Sequence, residues 1–182
     1  MVVDLGTGDG RAVLARAAAE PRSLVIGTDA DAASMAEASR RAARPVRKGG
    51  SPNAIFVVAA AEAPPAELAG RAALVTIILP WGSLLRGVLG TDPAVLDGIV
   101  ELIAPGGQVE IVLAPSDRDL LGWPDDASLE ASVGEAWGGR GMSLCAVERM
   151  DVPAVAALPS TWARRLGRAG WRLVLTRDGE RR

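Results

Sequence analysis

The chain opens on VVDLGTGDG, a short apolar strand that runs straight into glycines at positions 6, 8 and 10. Glycine tolerates positive φ, so this spacing permits a tight turn and lets a ligand press against bare backbone. Residues 9–19 follow and are Ala-rich with Leu and Arg, a composition that favours helix. A strand passing at once into a helix constrains the rest of the fold. The helix returns the chain to its starting edge, so the next strand lies parallel to the first.

The alternation continues. SLVIGTD (23–29) reads as strand two, 31–44 as a helix ending before Pro45, and RKGGSPN (47–53) as a loop. AIFVVA (54–59) reads as strand three, and Pro64-Pro65 opens a short helix at 65–70. AALVTIIL (72–79) is the most apolar strand, as expected at a sheet centre. Residues 92–103 form a helix with Asp92 as N-cap and Pro93 in its first turn. Pro105-Gly106-Gly107 turns into QVEIVLA (108–114), strand five. Then come a polar loop at 115–126, a helix at 127–138, strand MSLCAVERM (142–150), a helix at 159–169 and strand WRLVLTRD (171–178). Strand and helix repeated in this way specify a doubly wound α/β sheet in one domain spanning 1–182.

Composition excludes several chemistries. The chain has no His and one Cys, Cys145. That removes the Ser-His-Asp hydrolases, Cys-based metal sites and nearly all zinc enzymes, so no metal is expected. No apolar run is long enough for a membrane helix and no signal peptide is legible, which fits a reducing cytoplasm. Net charge is −2, so nucleic-acid binding must rest on local patches. Arg40, Arg41, Arg44, Arg47 and Lys48 make one such block. Arg164, Arg165, Arg168, Arg172, Arg177, Arg181 and Arg182 make a second.

The carboxylates around the glycine turn narrow the ligand. Asp4 precedes the turn, where a carboxylate suits an ammonium group and repels a pyrophosphate. Strand two ends on Asp29, in position to accept both hydroxyls of a ribose. A cationic adenosine satisfies both acids, and S-adenosylmethionine is that molecule. The pattern resembles the first two motifs of Rossmann-like methyltransferases. Glu62, after strand three, sits where such folds hold an adenine edge, against the alternative of a solvated loop acid.

Two of the five tryptophans stand apart. Trp81 follows strand four in PWGSLLRG, where the carboxyl ends of parallel strands face the ligand crevice. Trp162 lies in STWARRL, at a helix start capped by Ser160 or Thr161 and beside Arg164 and Arg165. Two indole faces could sandwich a flipped base. Trp171 reads as core, while Trp123 and Trp137 could pack either way.

PWGSLLRGVLG and STWARRL, together with VVDLGTGDG, KGGSPN and AAAEAPP in the same order, resemble the aminoglycoside-resistance methyltransferases of the kanamycin–apramycin type. Those enzymes modify N1 of adenine 1408 in 16S rRNA. The resemblance covers nearly the whole chain. It implies a Rossmann-like class I fold, a seven-stranded, mostly parallel sheet with an antiparallel last strand and helices on both faces. It implies S-adenosyl-L-methionine held by Asp4, Gly6, Gly8, Asp29, Ala30, Ala61, Glu62, Pro80, Ser160 and Thr161. Trp81 and Trp162 would hold the adenine, with Arg165 and Arg172 on the flipped nucleotide. Arg40, Arg41, Arg44, Arg47 and Lys48 would dock a monomer on 16S rRNA in the assembled small ribosomal subunit. The family carries a small hairpin before strand one, and this chain begins almost on that strand, which bears on the order of strand one and on the rRNA contacts.

Adenine N1 has a free lone pair at neutral pH, so its methylation needs no general base, in keeping with the absence of His. Two other readings share the residues: a small-molecule methyltransferase on the same fold, and an inactive RNA-binding relative. Ser83 and Arg86 either contribute directly or anchor the helix that begins beside Trp81.

Overall fold

The computed structural model describes residues 1–114 and 126–179. Among them seven strands build one sheet: β1 (Val2–Leu5), β2 (Val25–Asp29), β3 (Ala54–Val58), β4 (Ala72–Ile78), β5 (Ile103–Leu113), β6 (Met142–Met150) and β7 (Gly170–Arg177). Their order is β3-β2-β1-β4-β5-β7-β6. β1 to β5 are mutually parallel, and β7 enters antiparallel between β5 and β6. This is the mostly parallel sheet with an antiparallel last strand that the sequence implies.

All four residues of β1 are buried, and the strand pairs on both sides, Asp4 opposite Gly27 of β2 and Thr76 of β4. Its position near the start of the chain therefore leaves it well held.

Seven helices flank the sheet in the described residues: α1 (Arg11–Ala19), α2 (Ala32–Ala42), α3 (Gly82–Val88), α4 (Pro93–Leu102), α5 (Asp126–Gly138), α6 (Val152–Ala156) and α7 (Thr161–Leu166). Strand alternation sends Val3, Leu5, Val75, Ile77, Val109 and Ile111 to one face, where they pack with α3, α4 and α5. Trp137 of α5 is fully buried there, and its Nε1 donates to Val88 O at 2.9 Å. The other face is covered in two separate places. α1 and α2 pack on Val2, Val25 and Ala54, while α6 and α7 pack on Val112. Between these pairs a groove of about 370 Å³ opens over Asp4, Thr76 and Glu110.

The element boundaries depart from expectation for local reasons. β5 begins at Ile103 rather than 108, because Ile103 pairs with Ala72 before a bulge at the glycine pair, where Gly106 has φ 73°. The helix expected over 159–169 spans only Thr161–Leu166, since Gly167 turns left-handed at φ 60°. The helix expected at 65–70 is one 3₁₀ turn, Ala66–Leu68. A 3₁₀ turn over Val46–Lys48 lies within the expected loop. α6 was not foreseen; Asp151 caps it, accepting from Ala154 N at 2.8 Å. The polar loop expected over 115–126 lies, except for Asp126, outside the described residues, as do Trp123, Arg181 and Arg182.

α4 approaches the segment after β3 at Gly98, where an added Cβ would collide with the carbonyl oxygen of Ala61 and lie 3.2 Å from Glu62 Cα. Only glycine allows this contact. Gly98→Ala is expected to cost about 1–3 kcal/mol of stability through overpacking, with the melting temperature falling several degrees in thermal denaturation.

Candidate functional site

In open parallel sheets, ligands bind beyond the carboxyl ends of the strands where the strand order reverses. Here that point lies between β1 and β4. The glycine turn follows β1 there, with Gly6, Gly8 and Gly10 all at positive φ (66°, 53° and 69°). At Gly10 a Cβ would meet Ala38 Cβ at 2.5 Å, so this glycine lets α2 close on the turn. At Gly8 a Cβ would meet nothing within 4 Å, so its backbone faces open space.

Asp29 braces the turn. Its Oδ2 accepts from Gly8 N and its Oδ1 from Asp31 N, both at 2.9 Å. Each carboxylate oxygen keeps a second lone pair for a ribose hydroxyl. Ala30 beside it is exposed. Glu62 is exposed and Ala61 half-buried, on the segment that Gly98 holds.

Asp4, third of the four residues of β1, is buried rather than standing open on a crevice rim. It is 4% exposed, on the grooved face of the sheet, and accepts a hydrogen bond from Thr76 Oγ1. Burial pushes its carboxyl above the ordinary carboxylate range, opposed by the Thr76 and Thr7 hydroxyls and then by the Arg16 charge. Thr7, within the turn, has a buried Oγ1 that meets no partner at full hydrogen-bond geometry but lies close enough to Asp4 to favour its ionised form.

The segment after β4 carries the most exposed indole among the described residues. Trp81 is 80% exposed at the N-cap of α3, and Pro80 before it is half-buried. The N-cap position is Trp81 itself, which makes no side-chain capping bond, and Ser83 lies inside the helix. Leu79 has φ 54°, the single non-glycine residue with positive φ in the described chain. That conformation is costly for a leucine and marks backbone held by its surroundings. Its amide donates to Val112 O at 2.8 Å, and its side chain joins Val112, Val155 and Ala163 in one buried cluster. Strand alternation would have sent Leu79 to the opposite face from Ile78. The left-handed turn puts both in this cluster and frees Pro80-Trp81 from the sheet.

Trp162 stands 53% exposed on α7, next to buried Ala163. Ser160 is the cap, its Oγ accepting from Trp162 N at 3.2 Å. Thr161 Oγ1 donates to Asp9 Oδ2 in the glycine turn at 2.6 Å. The turn, the segment after β4 and the start of α7 therefore meet at one edge, with the two most exposed tryptophans among the described residues on it. Trp171, by contrast, is core: Nε1 donates to Asp126 Oδ1 at 2.7 Å, and the Arg149 guanidinium lies 4.5 Å from its ring centroid.

Residues 1–179 match the NpmA family, 16S rRNA (adenine(1408)-N(1))-methyltransferase. This chain belongs to that family. The enzyme of that description from Streptoalloteichus tenebrarius is 35% identical over 173 residues, covering 91% of this chain and 80% of the relative. The Catenulisporales acidiphilia enzyme, crystallised as a tryptophan-to-alanine variant with its cosubstrate S-adenosylmethionine, is 31% identical with a TM-score of 0.88, covering 100% of this chain and 87% of that one. The aminoglycoside-resistance methyltransferase NpmB1 is 39% identical with a TM-score of 0.81, covering 97% and 86%.

The structure changes the balance of the two cationic surfaces. Arg40, Arg41, Arg44, Arg47 and Lys48 are all exposed. Glu37, one turn earlier, pairs with Arg40 at 2.8 Å and Arg44 at 3.7 Å, which holds its carboxyl below the usual range, chiefly through the Arg40 hydrogen bond. Arg41, Arg47 and Lys48 make no ion pair among the described residues. Arg165 is exposed on α7. Arg172 is engaged, its Nε donating to Glu110 at 2.7 Å and its Nη1 to Glu148 at 3.2 Å. Those two carboxylates raise its pKa.

The turn also fits a cosubstrate such as the relative holds. The backbone at Gly8 faces open space, and the spare lone pairs of Asp29 await donors. Residues missed by the sequence reading are Asp9, Thr76 and Leu79; the only signal was the acid inside GTGDG.

The Asp4 carboxyl gives a pH test. Its folded pKa is raised, so the folded state holds its proton to higher pH than the unfolded chain. Its contribution to stability is therefore fully present at low pH and is lost as pH rises through the folded value. Asp4→Asn keeps an oxygen for Thr76 and cannot ionise. Urea denaturation is expected to find the variant more stable than the parent at neutral pH, with the difference shrinking towards the ordinary carboxylate range.

Proposed function

We propose that this chain transfers the methyl group of S-adenosylmethionine to N1 of adenine 1408 in 16S rRNA, acting in the cytoplasm as a monomer on the assembled small ribosomal subunit. The observation that carries the reading is the pair of exposed indoles, Trp81 and Trp162, on segments that share one buried cluster at the carboxyl edge of the sheet. Exposed indoles are poor surface chemistry for an isolated protein and good chemistry for a base lifted out of its stack.

Bound at the glycine turn, S-adenosylmethionine supplies a methyl group activated by the adjacent sulfonium. Asp29 and the Gly6–Gly8 backbone hold the ribose side, with Ala30 beside them. Ala61 and Glu62 flank the adenine, and Pro80, Ser160 and Thr161 close the methionine end. Asp4, whose burial penalises its own charge, gains a partner when an ammonium group approaches it. Asparagine at that position therefore stabilises the protein and weakens the cosubstrate.

Trp81 and Trp162 stack the target adenine and fix N1 in line with the methyl group. The N1 lone pair forms the new N–C bond, the C–S bond breaks, and its electron pair leaves as the neutral thioether of S-adenosylhomocysteine. Positive charge passes to the purine, where indole faces favour it. No proton leaves N1, so the chain needs no general base. Positioning is the whole of catalysis here.

Arg165 is suited to the phosphate of the flipped nucleotide, and Arg172 joins it by exchanging its exposed Glu148 bond for phosphate. Arg41, Arg47 and Lys48 are the free cations of the docking block, with Arg40 and Arg44 already shared with Glu37.

Primer extension on small-subunit rRNA tests the reading, since a methyl on N1 blocks base pairing and stops reverse transcriptase. A stop at adenine 1408 with subunits, weaker or absent with naked 16S rRNA, is expected; no stop with either substrate refutes it. Trp81→Ala and Trp162→Ala should each lower kcat/KM at least about tenfold, as stacking of about 1–3 kcal/mol per base requires, while cosubstrate affinity by calorimetry stays near the parent's. Docking is read separately. Arg47→Ala with Lys48→Ala should flatten the plot of log binding constant against log salt by about two units, and Arg40→Ala by less.

A further inference from the structure

The glycine turn and α7 are joined across 152 residues by the bond from Thr161 Oγ1 to Asp9 Oδ2 at 2.6 Å. The Asp9 carboxylate is oriented before it receives this bond. Its Oδ1 accepts from Arg11 N at 3.2 Å, and the Arg11 Nε lies 3.3 Å from Oδ2. Flanking Gly8 and Gly10 are both left-handed, so the backbone that presents Asp9 has the shape only this turn gives. On the other side, Thr161 is the first residue of α7 and Trp162 the second.

α7 has few other anchors. It is six residues long, too short to be stable alone, and ends at once in left-handed Gly167. Its one buried residue is Ala163, packed with Leu79, Val112 and Val155. An alanine gives little rotational hold. Ala163 and the partly buried Leu166 hold the middle and the C-terminal end of α7 on this cluster, so the N-terminal end that carries Trp162 is fixed by the polar contact at Thr161. We infer that Asp9 is a positioning residue that latches Thr161 to the glycine turn and so fixes the angle at which Trp162 meets the base. The latch also links the turn proposed to hold the cosubstrate to the wall proposed to hold the acceptor. Asp9 itself need touch neither.

This inference rests on the methyltransferase reading for its effect on rate, and on geometry alone for its effect on α7. Two measurements keep these apart. The first is amide hydrogen exchange on the apo protein. Asp9→Ala should speed exchange of the 161–166 peptide severalfold while β1 and β4 peptides keep their protection; unchanged exchange at 161–166 overturns the latch whether or not the protein methylates rRNA. The second is a double-mutant cycle on single-turnover methylation of small subunits. Asp9→Ala and Thr161→Val should each lower the rate about tenfold at saturating subunit and cosubstrate, and the double variant should be no worse than either single one. Thr161→Ser, which keeps the hydroxyl, should recover most of the rate lost in Thr161→Val. Additive losses overturn the inference, as does a loss in Asp9→Ala that extra cosubstrate restores. If the parent itself gives no methylation, the function proposed above fails, and the exchange measurement still decides the latch.

Discussion

Everything at the functional edge depends on β1 lying in the middle of the sheet. Four residues, Val2 to Leu5, are hydrogen-bonded on both sides and wholly buried. A strand so short is held because parallel neighbours supply its partners on each edge. Its register then fixes the glycine turn in space. From that turn Asp29 takes the Gly8 amide and Asp9 takes the Thr161 hydroxyl, so one loop reaches both the end of β2 and the start of α7. A shift of β1 by one residue would reverse its faces, burying Val3 where Asp4 now meets Thr76. The placement of β1 is thus the condition for ligand loop, acid pair and second indole alike.

The two exposed tryptophans arise by different physics. Trp81 is thrown off the sheet by a strained backbone at Leu79, and the strain persists because the Leu79 side chain is buried against Val112, Val155 and Ala163. Trp162 rides on a short helix that has little stability of its own. The same cluster supports both, so the relation between the two indoles is set by packing rather than by either segment's local preference. Such an arrangement suits a stacking site, where a small rotation of one face spoils alignment with the reacting atom.

Much of this was legible in the sequence because it rests on local rules. Periodicity and glycine punctuation located the strands, Asp92-Pro93 marked the start of α4, and the pair PWGSLLRG and STWARRL pointed to the edge where both tryptophans stand. What stayed hidden depends on contacts between distant residues. Nothing in RKGGSPN reveals that Asn53 Nδ2 donates to the carbonyls of Ala17, Glu20 and Ser23, closing the end of α1 onto β2. Nothing in VTIILP reveals that Leu79 turns left-handed, since leucine before proline ordinarily reads as extended. The basic block looked uninterrupted because Glu37 lies outside it in sequence, and only helical spacing brings that acid back to Arg40 and Arg44.

The buried carboxylate Asp4 completes the logic. A fold optimised for stability alone would have an uncharged group in the sheet centre, since burial penalises the ion and the Thr76 and Thr7 hydroxyls offset only part of that. Glu110, also on the grooved face, is satisfied by Arg172, whereas Asp4 has only the more distant charge of Arg16. A charge left without a full partner in the free protein is a site that a cationic ligand can improve. Retaining the acid costs the free protein stability, and under the function proposed above an ammonium-bearing cosubstrate would return it on binding.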